Sequence, residues 1–378
     1  MEMESAKNKS KEPLFHITKR MNISSGKFAC IYLLSLVVAI ILAGIFIIII
    51  GGNPFEFYKT VFSCYFTGSA NQRGIYIENL ISLTIPLVIT SLGVAVAFKM
   101  KFWNIGAEGQ FIIGGICGTL ASIAFGDSFG SIPLLLIMIL AGAIGAGLYG
   151  LIVAVLKVKF GTNETLLTLM LNYVAIYLIQ YCQSSIGIFQ KTPGNLRAGF
   201  VYVNARMPEF ELGNATIDIS LFIAILLVFV MFIYLKHTKH GYEISVVGDS
   251  VNTAKYAGMN VKKIIVRTMF LSAALMGIAG VLKVSGSYAN GRLSAEFTNG
   301  VGWTAIIVAW LAMLNPYAIL VAAIALSLLS NGCNVLGFGA TVSDILQGII
   351  LFTVLLFDFF TRYKIMFRKF GNSAKEAV

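Results

Sequence analysis

The side chains of this 378-residue sequence with types and spacing fit for chemistry are neutral hydrogen-bonding groups rather than nucleophiles or proton shuttles. Three stretches concentrate them. The first is Phe102-Trp103-Asn104-Ile105-Gly106-Ala107-Glu108-Gly109-Gln110. Asn104 is a residue type that satisfies orphan backbone donors at a helix start, and Glu108 in the first turns suits the positive end of a helix dipole. The second, Phe160-Gly161-Thr162-Asn163-Glu164-Thr165, has the same ingredients and continues to Tyr173. In it Thr165, Thr168 and Asn172 recur at three and four, which puts them on one helix face. The third runs from Gly241 to Met259, where Asp249 or Ser250 would cap a short helix that Gly258 ends.

Reactive chemistry is poorly represented. Cys30, Cys64, Cys117, Cys182 and Cys333 form no C-x-x-C pair, which argues against a zinc site or a disulfide framework. The histidines are His16, His237 and His240, and His237-x-x-His240 in a basic stretch reads as a solvated face. The Gly26-Lys27 pair lacks the upstream glycine of a phosphate loop, so ATP would have to be bound by another chain.

The elements that position these groups are set by composition. Hydrophobic residues make up 57% of the chain and charged residues 12%, about half of the roughly 25% usual in soluble domains. Lipid is the solvent such a chain fits. One crossing takes about 20 apolar residues, and runs of that kind lie at 28–50, 79–98, 107–125, 132–156, 163–183, 217–235, 264–285 and 343–360. Two shorter runs, 302–314 and 316–330, are separated by the helix-breaking Asn315-Pro316. The expected fold is an all-α integral membrane protein of about ten transmembrane helices, with one short or re-entrant pair near Asn315-Pro316.

Charge gives the orientation. Lys and Arg number six before Phe28, two at Lys99 and Lys101, two at Lys157 and Lys159, six from Lys236 to Arg267 and five beyond Phe360. That places 21 basic residues on one side against seven on the other, so the positive-inside rule makes both termini cytoplasmic. The net charge of +11 thus reads as membrane orientation and not as a nucleic-acid footprint. A cytoplasmic basic tail (1–27), a membrane domain (28–360) with a cytoplasmic loop at 236–263 and an external loop at 184–216, and a cytoplasmic tail (361–378) follow.

Within the spans, Glu108, Glu164, Asp218, Arg267, Lys283, Asp344 and Asp358 mark helix edges, and no ionisable group is expected at mid-membrane. A proton relay needs one there. Small residues at fours, Gly114 with Gly118 and Gly142 with Ala146 and Gly150, predict close helix packing, within this chain or against another subunit. Two readings stay open for the polar stretches. The first is either a capped helix start or a bent lead-in whose glycines line a passage, and the second is either interhelical glue or a pore-facing stripe.

The runs 102–110, 162–173, 241–259, 302–316 and Gln347-Gly348, in this order and spacing, resemble the permease subunits of bacterial ABC importers for nucleosides and simple sugars, a branched-chain-type permease family. The resemblance covers essentially 51–360. It implies a multi-pass protein of the bacterial plasma membrane that works by alternating access without chemistry on its substrate. It also implies cytoplasmic ABC ATPase subunits that hold ATP and Mg, a second and dissimilar permease subunit, and an external substrate-binding lipoprotein. No cofactor is expected in this chain, and no nucleic acid.

Carried onto this sequence, the resemblance makes 241–259 the loop whose short helix couples to the ATPase, through Gly241, Gly248, Asp249, Ala254, Tyr256, Ala257 and Gly258. Ala254 and Ala257, three apart, are expected to share the docking face. A nucleoside or sugar is neutral and rich in hydroxyls, so its path needs donors and acceptors without fixed charge. Asn104, Thr165, Thr168, Asn172, Tyr173, Trp303 and Thr304 supply that inventory, with Asn172 and Trp303 expected to face the path. Gly106, Glu108, Gln110, Asn163 and Glu164 would form the gate or helix starts. Many relatives carry an acid where Thr304 follows Gly302-Trp303, so a role for that acid does not transfer. The rival readings are the same role for a simple sugar such as ribose, a secondary carrier, and a membrane enzyme; the carrier is disfavoured by the expected lack of mid-membrane charge, the enzyme by the lack of clustered catalytic groups.

Overall fold

The computed structural model describes residues 15–19, 25–184, 188–189, 199–201, 203–286, 292–294 and 296–367. Parts of the expected tails 1–27 and 361–378 and of the loop 184–216 lie outside the described residues. Thirteen α-helices are described: α1 (Ser25–Ile49), α2 (Pro54–Ser63), α3 (Ala70–Lys99), α4 (Ala107–Phe125), α5 (Ser131–Phe160), α6 (Glu164–Gln183), α7 (Ser220–His237), α8 (Lys239–Asp249), α9 (Val251–Tyr256), α10 (Val261–Ser285), α11 (Val301–Leu311), α12 (Pro316–Val335) and α13 (Gly339–Arg362). Six short strands pair antiparallel in twos: β1 (Phe15–Lys19) with β6 (Tyr363–Phe367), β2 (Gly199–Phe200) with β5 (Arg292–Leu293), and β3 (Glu209–Leu212) with β4 (Ala215–Asp218).

Nine of these helices are long and apolar enough to cross a membrane, and Val301–Leu311 is apolar but short. The pair around Asn315-Pro316 is therefore unequal. Asn315 Oδ1 accepts the Tyr317 N–H at 3.1 Å, and Pro316 occupies the first turn, where its missing N–H costs nothing. The proline starts a full 20-residue helix instead of dividing two short ones. α3 is longer than its apolar run, because Ser69 and Gln72 form a capping box that starts it at Ala70.

Residues 55–347 form one packing unit, and 1–54 with 348–378 form a second. In the second, β1 and β6 pair from Phe15↔Phe367 to Lys19↔Tyr363. Strands that share a ladder cannot lie on opposite faces of a bilayer, so β1 and β6 lie on one side. In the larger unit α10 is the central helix, packed on α3, α4 and α5. Its approach to α5 and α4 depends on glycine: a Cβ on Gly277 would collide with the Gly142 carbonyl, and one on Gly114 with Gly277. The small-residue rows at 114, 142, 146 and 150 thus serve packing within this chain.

α10 also serves as a ruler of depth. Ser272, the twelfth of its 25 residues, accepts a hydrogen bond from Asn104 Nδ2 at 3.3 Å and donates to the Gly93 carbonyl at 2.7 Å. After α3 ends at Lys99, the chain climbs back to half the height of α10 before α4 begins. α11 begins at the same level, where Gly302 meets Glu108. It then descends to the Lys99 end of α3, where Trp310 stacks on Trp103 with 5.6 Å between ring centroids and Trp103 meets Phe98 edge-on. Its eleven residues span about 16 Å, half of a ~30 Å hydrocarbon core. Two lead-ins, at Phe102 and Phe297, deliver the chain to this depth, and Phe111 stacks on Phe297 beside it.

This depth corrects the reading of Glu108 as a membrane-edge residue. It lies in the first turn of a helix whose start is buried at mid-bundle, and its residue is 4% exposed. A helix edge and a membrane edge coincide only where a helix crosses completely.

Candidate functional site

Helix starts leave backbone donors without partners, and a buried start must find them within the protein. At α4 the cap position is Gly106, which has no side chain to offer. Asn104 Oδ1 instead accepts from the Gly106 N–H and from Gln110 Nε2, both at 3.1 Å, and Asn104 Nδ2 donates to Gln110 Oε1 at 3.0 Å. The Gly109 donor is satisfied from another helix: Asn172 Oδ1 in α6 accepts it at 2.8 Å, while Asn172 Nδ2 donates to the Ile105 carbonyl at 2.8 Å. Thr168 Oγ1, one turn earlier, accepts from the Ile105 N–H at 3.1 Å and donates to the Glu164 carbonyl at 2.8 Å.

These contacts bear on both expectations. Asn172 and Thr168 are fully buried and hydrogen-bonded to the α4 lead-in, the arrangement of interhelical glue. Asn104 and Gln110 are buried in the same network. Thr165 is half-buried and Tyr173 is exposed on the face that carries Met170, Val174 and Tyr177, an apolar outer face and not a polar passage. Asn163 caps α6 as expected, accepting from Thr165 and Leu166 N–H, and Glu164 pairs with Lys157 Nζ at 2.6 Å across the α5–α6 turn. Trp303 is exposed in the first turn of α11.

The α4 and α11 starts are joined by a carboxylate. Glu108 Oε2 accepts the Gly302 N–H at 2.7 Å, and Thr298 also donates to it. Residue 302 must be glycine for this fit, since a Cβ would run into the Glu108 backbone. Gly300 ahead of it has φ +70°, the left-handed conformation that turns the chain into α11.

Beside this junction lies a half-open cavity of about 230 Å³. Thr304 and Val301 line it from α11 and Asn299 from the turn before it; Leu83 and Leu87 from α3; Leu326, Ser327, Ser330 and Asn334 from α12; Ala340, Asp344 and Gln347 from α13. Ser327 Oγ and Gln347 Oε1 are buried without a hydrogen-bond partner among the described residues. Buried polar groups are rarely left so unless a water or ligand completes them. Of the residues expected along a path, Thr304 is the one in this lining. Ser327, Ser330, Asn334, Asp344 and Gln347 were not foreseen. Their signal was present: Ser327, Ser330 and Asn334 recur at three and four, the same pattern that marked α6.

The stretch 241–259 is two helices: the expected short helix, α9, is preceded by α8 where a loop was expected. Gly241 and Gly248 sit inside α8, where added Cβ atoms would strike the Leu235 and Tyr234 carbonyls and the Lys99 carbonyl respectively, so they permit close packing. Ser250 caps α9, its Oγ accepting from Thr253 N–H at 3.2 Å; Asp249 ends α8 and is exposed. Gly258, with φ +73°, closes the segment after Ala257. Ala254 is fully buried within this chain, whereas Ala257 is exposed and Tyr256 is 93% exposed. The expected shared face of Ala254 and Ala257 is therefore not a free surface. α8 is fixed to α10 by the Glu243–Arg267 pair at 2.7 Å, and the hydrogen bond from Arg267 holds the Glu243 carboxyl below the usual range.

Comparison with known proteins gives this geometry a family. Residues 76–355 match the family described as branched-chain amino acid transport system / permease component. The guanosine ABC transporter permease protein NupP of Bacillus subtilis is 29% identical over 287 residues, covering 75% of this chain and 80% of that protein. The nucleoside ABC transporter permease protein NupB of Lactococcus lactis subsp. cremoris is 30% identical over 311 residues, 79% and 82% of the two chains. The glucose ABC transporter permease protein TsgB13 of Haloferax volcanii is 26% identical over 362 residues, 90% and 91% of the two chains. With nine described helices long and apolar enough to cross a membrane and a family match from 76 to 355, this multi-pass membrane protein belongs to the branched-chain amino acid transport system permease family and is the membrane component of an ABC transporter, dependent on ATPase partners.

Proposed function

We propose that this permease moves nucleosides into the cell by alternating access, driven by cytoplasmic ATPase subunits that bind ATP and Mg, with no chemistry on the solute and no cofactor of its own. The observation that carries the solute reading is the cavity, whose lining combines hydrogen-bonding side chains, the Asp344 carboxylate among them, with apolar Leu83, Leu87, Val301 and Leu326. Such a mixture suits a solute with a flat apolar ring and several hydroxyls. Two of the similar proteins are nucleoside-type permeases at 29–30% identity, which supports the same choice. A simple sugar is the alternative, favoured by the likeness to a glucose permease.

With the basic loops inside, α12 runs outward from Pro316, and the cavity lies in the outer half of the bundle above the α4–α11 junction. An external lipoprotein would deliver solute there, and a second, dissimilar permease would complete the path. α8 and α9 would dock on the ATPase through Tyr256 and its exposed neighbours. ATP binding would draw the two docking segments together and swing the path between its outward- and inward-open states. Uptake of radiolabelled guanosine and glucose into vesicles holding the complete transporter tests the reading. ATP-dependent guanosine uptake that excess glucose does not compete supports it; glucose uptake without guanosine uptake replaces it with the sugar reading.

A further inference from the structure

Among the described residues that line the cavity, Asp344 is the one ionisable side chain, and none is Lys, Arg or His. It is exposed toward that space from the first turns of α13, and it makes no hydrogen bond or ion pair with any described residue. Behind it in the wall of the cavity are two buried polar atoms without partners among the described residues. Ser327 Oγ is buried and unpartnered, and Gln347, whose Nε2 donates to Ser343 Oγ at 3.1 Å, leaves its Oε1 free. Ser327 and Gln347 are 2% and 3% exposed, so neither is satisfied by bulk water at the surface. Thr304 faces the same space from α11.

We propose that Asp344 is the specificity-determining residue of this cavity and that its two carboxylate oxygens accept the vicinal hydroxyls of a ribose ring. The inference rests on the nucleoside reading and makes it specific. An ionised carboxylate is acceptor-only, with two oxygens placed to take two neighbouring donors, and a vicinal diol presents such a pair. The diol is also what the nucleoside and the alternative sugar have in common. Thr304, Ser330 and Asn334, which line the cavity and are not buried, then bind the remaining ring polar atoms, and the leucines at 83, 87 and 326 carry the apolar face of the solute. The same carboxylate, with no cation beside it, repels a phosphorylated solute, so the cavity admits nucleosides and rejects nucleotides. A hydrogen bond to a charged group is strong enough that losing one costs about tenfold or more.

The test is uptake by the complete transporter in vesicles, using guanosine, 2′-deoxyguanosine and 3′-deoxyguanosine, each at a concentration that saturates the external binding protein. Saturation removes the binding protein's own preference and leaves the permease step. Wild type should move guanosine about tenfold faster than either deoxynucleoside. Asp344→Asn should lose that preference, and Asp344→Glu, which keeps the paired oxygens, should retain most of it. An unchanged preference in Asp344→Asn, or equal rates for the three solutes in wild type, overturns the role of Asp344 while leaving the nucleoside reading intact. Absence of nucleoside uptake by wild type overturns both. If Asp344→Asn moves none of the three, Asp344→Glu decides: a preserved preference supports the assignment, and an erased one ends it.

Discussion

Glu108 and Gly302, 194 residues apart in sequence, are joined by a 2.7 Å hydrogen bond from the glycine N–H to the carboxylate, and this bond ties together the two helices that begin at mid-bundle. Helix starts concentrate unsatisfied donors, and two of them meeting away from water need an acceptor there. Glu108→Ala should orphan the Gly302 N–H at a cost of about 1–3 kcal/mol, seen as a lower unfolding midpoint of the purified permease in detergent. Glu108→Gln keeps an acceptor oxygen and should lose less. Gly302→Ala should be worse than either, since its methyl would meet the Glu108 backbone, which cannot rotate aside. A Gly302→Ala protein as stable as wild type would show that the junction is looser than this geometry.

Asn172 holds α6 to the α4 lead-in with both ends of its amide, one accepting from Gly109 and one donating to Ile105. Leucine is similar in size and offers neither group. Asn172→Leu should leave two buried backbone groups unpaired and cost about 2–5 kcal/mol in all, so the yield of folded protein should fall together with uptake. Normal unfolding temperature combined with lost uptake would instead return Asn172 to the solute path.

Much of this architecture was legible in the sequence because lipid leaves few options. Backbone groups in a bilayer must bond internally, so apolar runs become helices, and the positions of Lys and Arg set the order of loops. Eight spans were visible that way. The broken helices were harder. α11 and α4 are apolar enough to resemble crossings, and only tertiary partners, Ser272 and Gly302, reveal how deep they begin. The polar face of α12 was taken as the end of a span at Ser330, although the helix continues to Val335. Thus a reading from hydropathy discards the residues that line the cavity, because lining residues interrupt the apolar pattern. Asn172 misled for the opposite reason: spacing shows that a polar face exists but not whether water or a neighbouring helix meets it.

Tyr256 and Ala254 separate docking from folding on a single short helix. Tyr256 is 93% exposed and Ala254 fully buried, so a charge at each position has different consequences. Tyr256→Asp should leave membrane insertion and thermal stability near wild type and reduce both transport and transport-linked ATP hydrolysis by an order of magnitude. Ala254→Glu should fail earlier, with little folded permease recovered, because the carboxylate has no room and no partner. Equal transport by Tyr256→Asp and wild type would remove α9 from the ATPase interface.

The direction of the cavity depends on which side α8 and α9 face. β3 and β4 cover the opposite end of α3, where Glu78 Oε1 accepts the Thr216 N–H at 2.6 Å, and β3 lies within the 184–216 loop. In a background without the five native cysteines, Asn204→Cys and Glu209→Cys, both exposed positions, should react with an impermeant thiol reagent added to intact cells. Lys255→Cys, also exposed, should react only after the membrane is opened. β1 pairs with β6, so Thr18→Cys and Lys364→Cys should behave alike, and like Lys255→Cys if both tails are cytoplasmic. The basic residues that flank α7 and α10 favour this pattern, since each Lys or Arg carried across the bilayer opposes the rule that retains positive loops inside. Labelling of Lys255→Cys from outside, with Asn204→Cys protected, would invert the protein and place the Asp344 cavity on the cytoplasmic half.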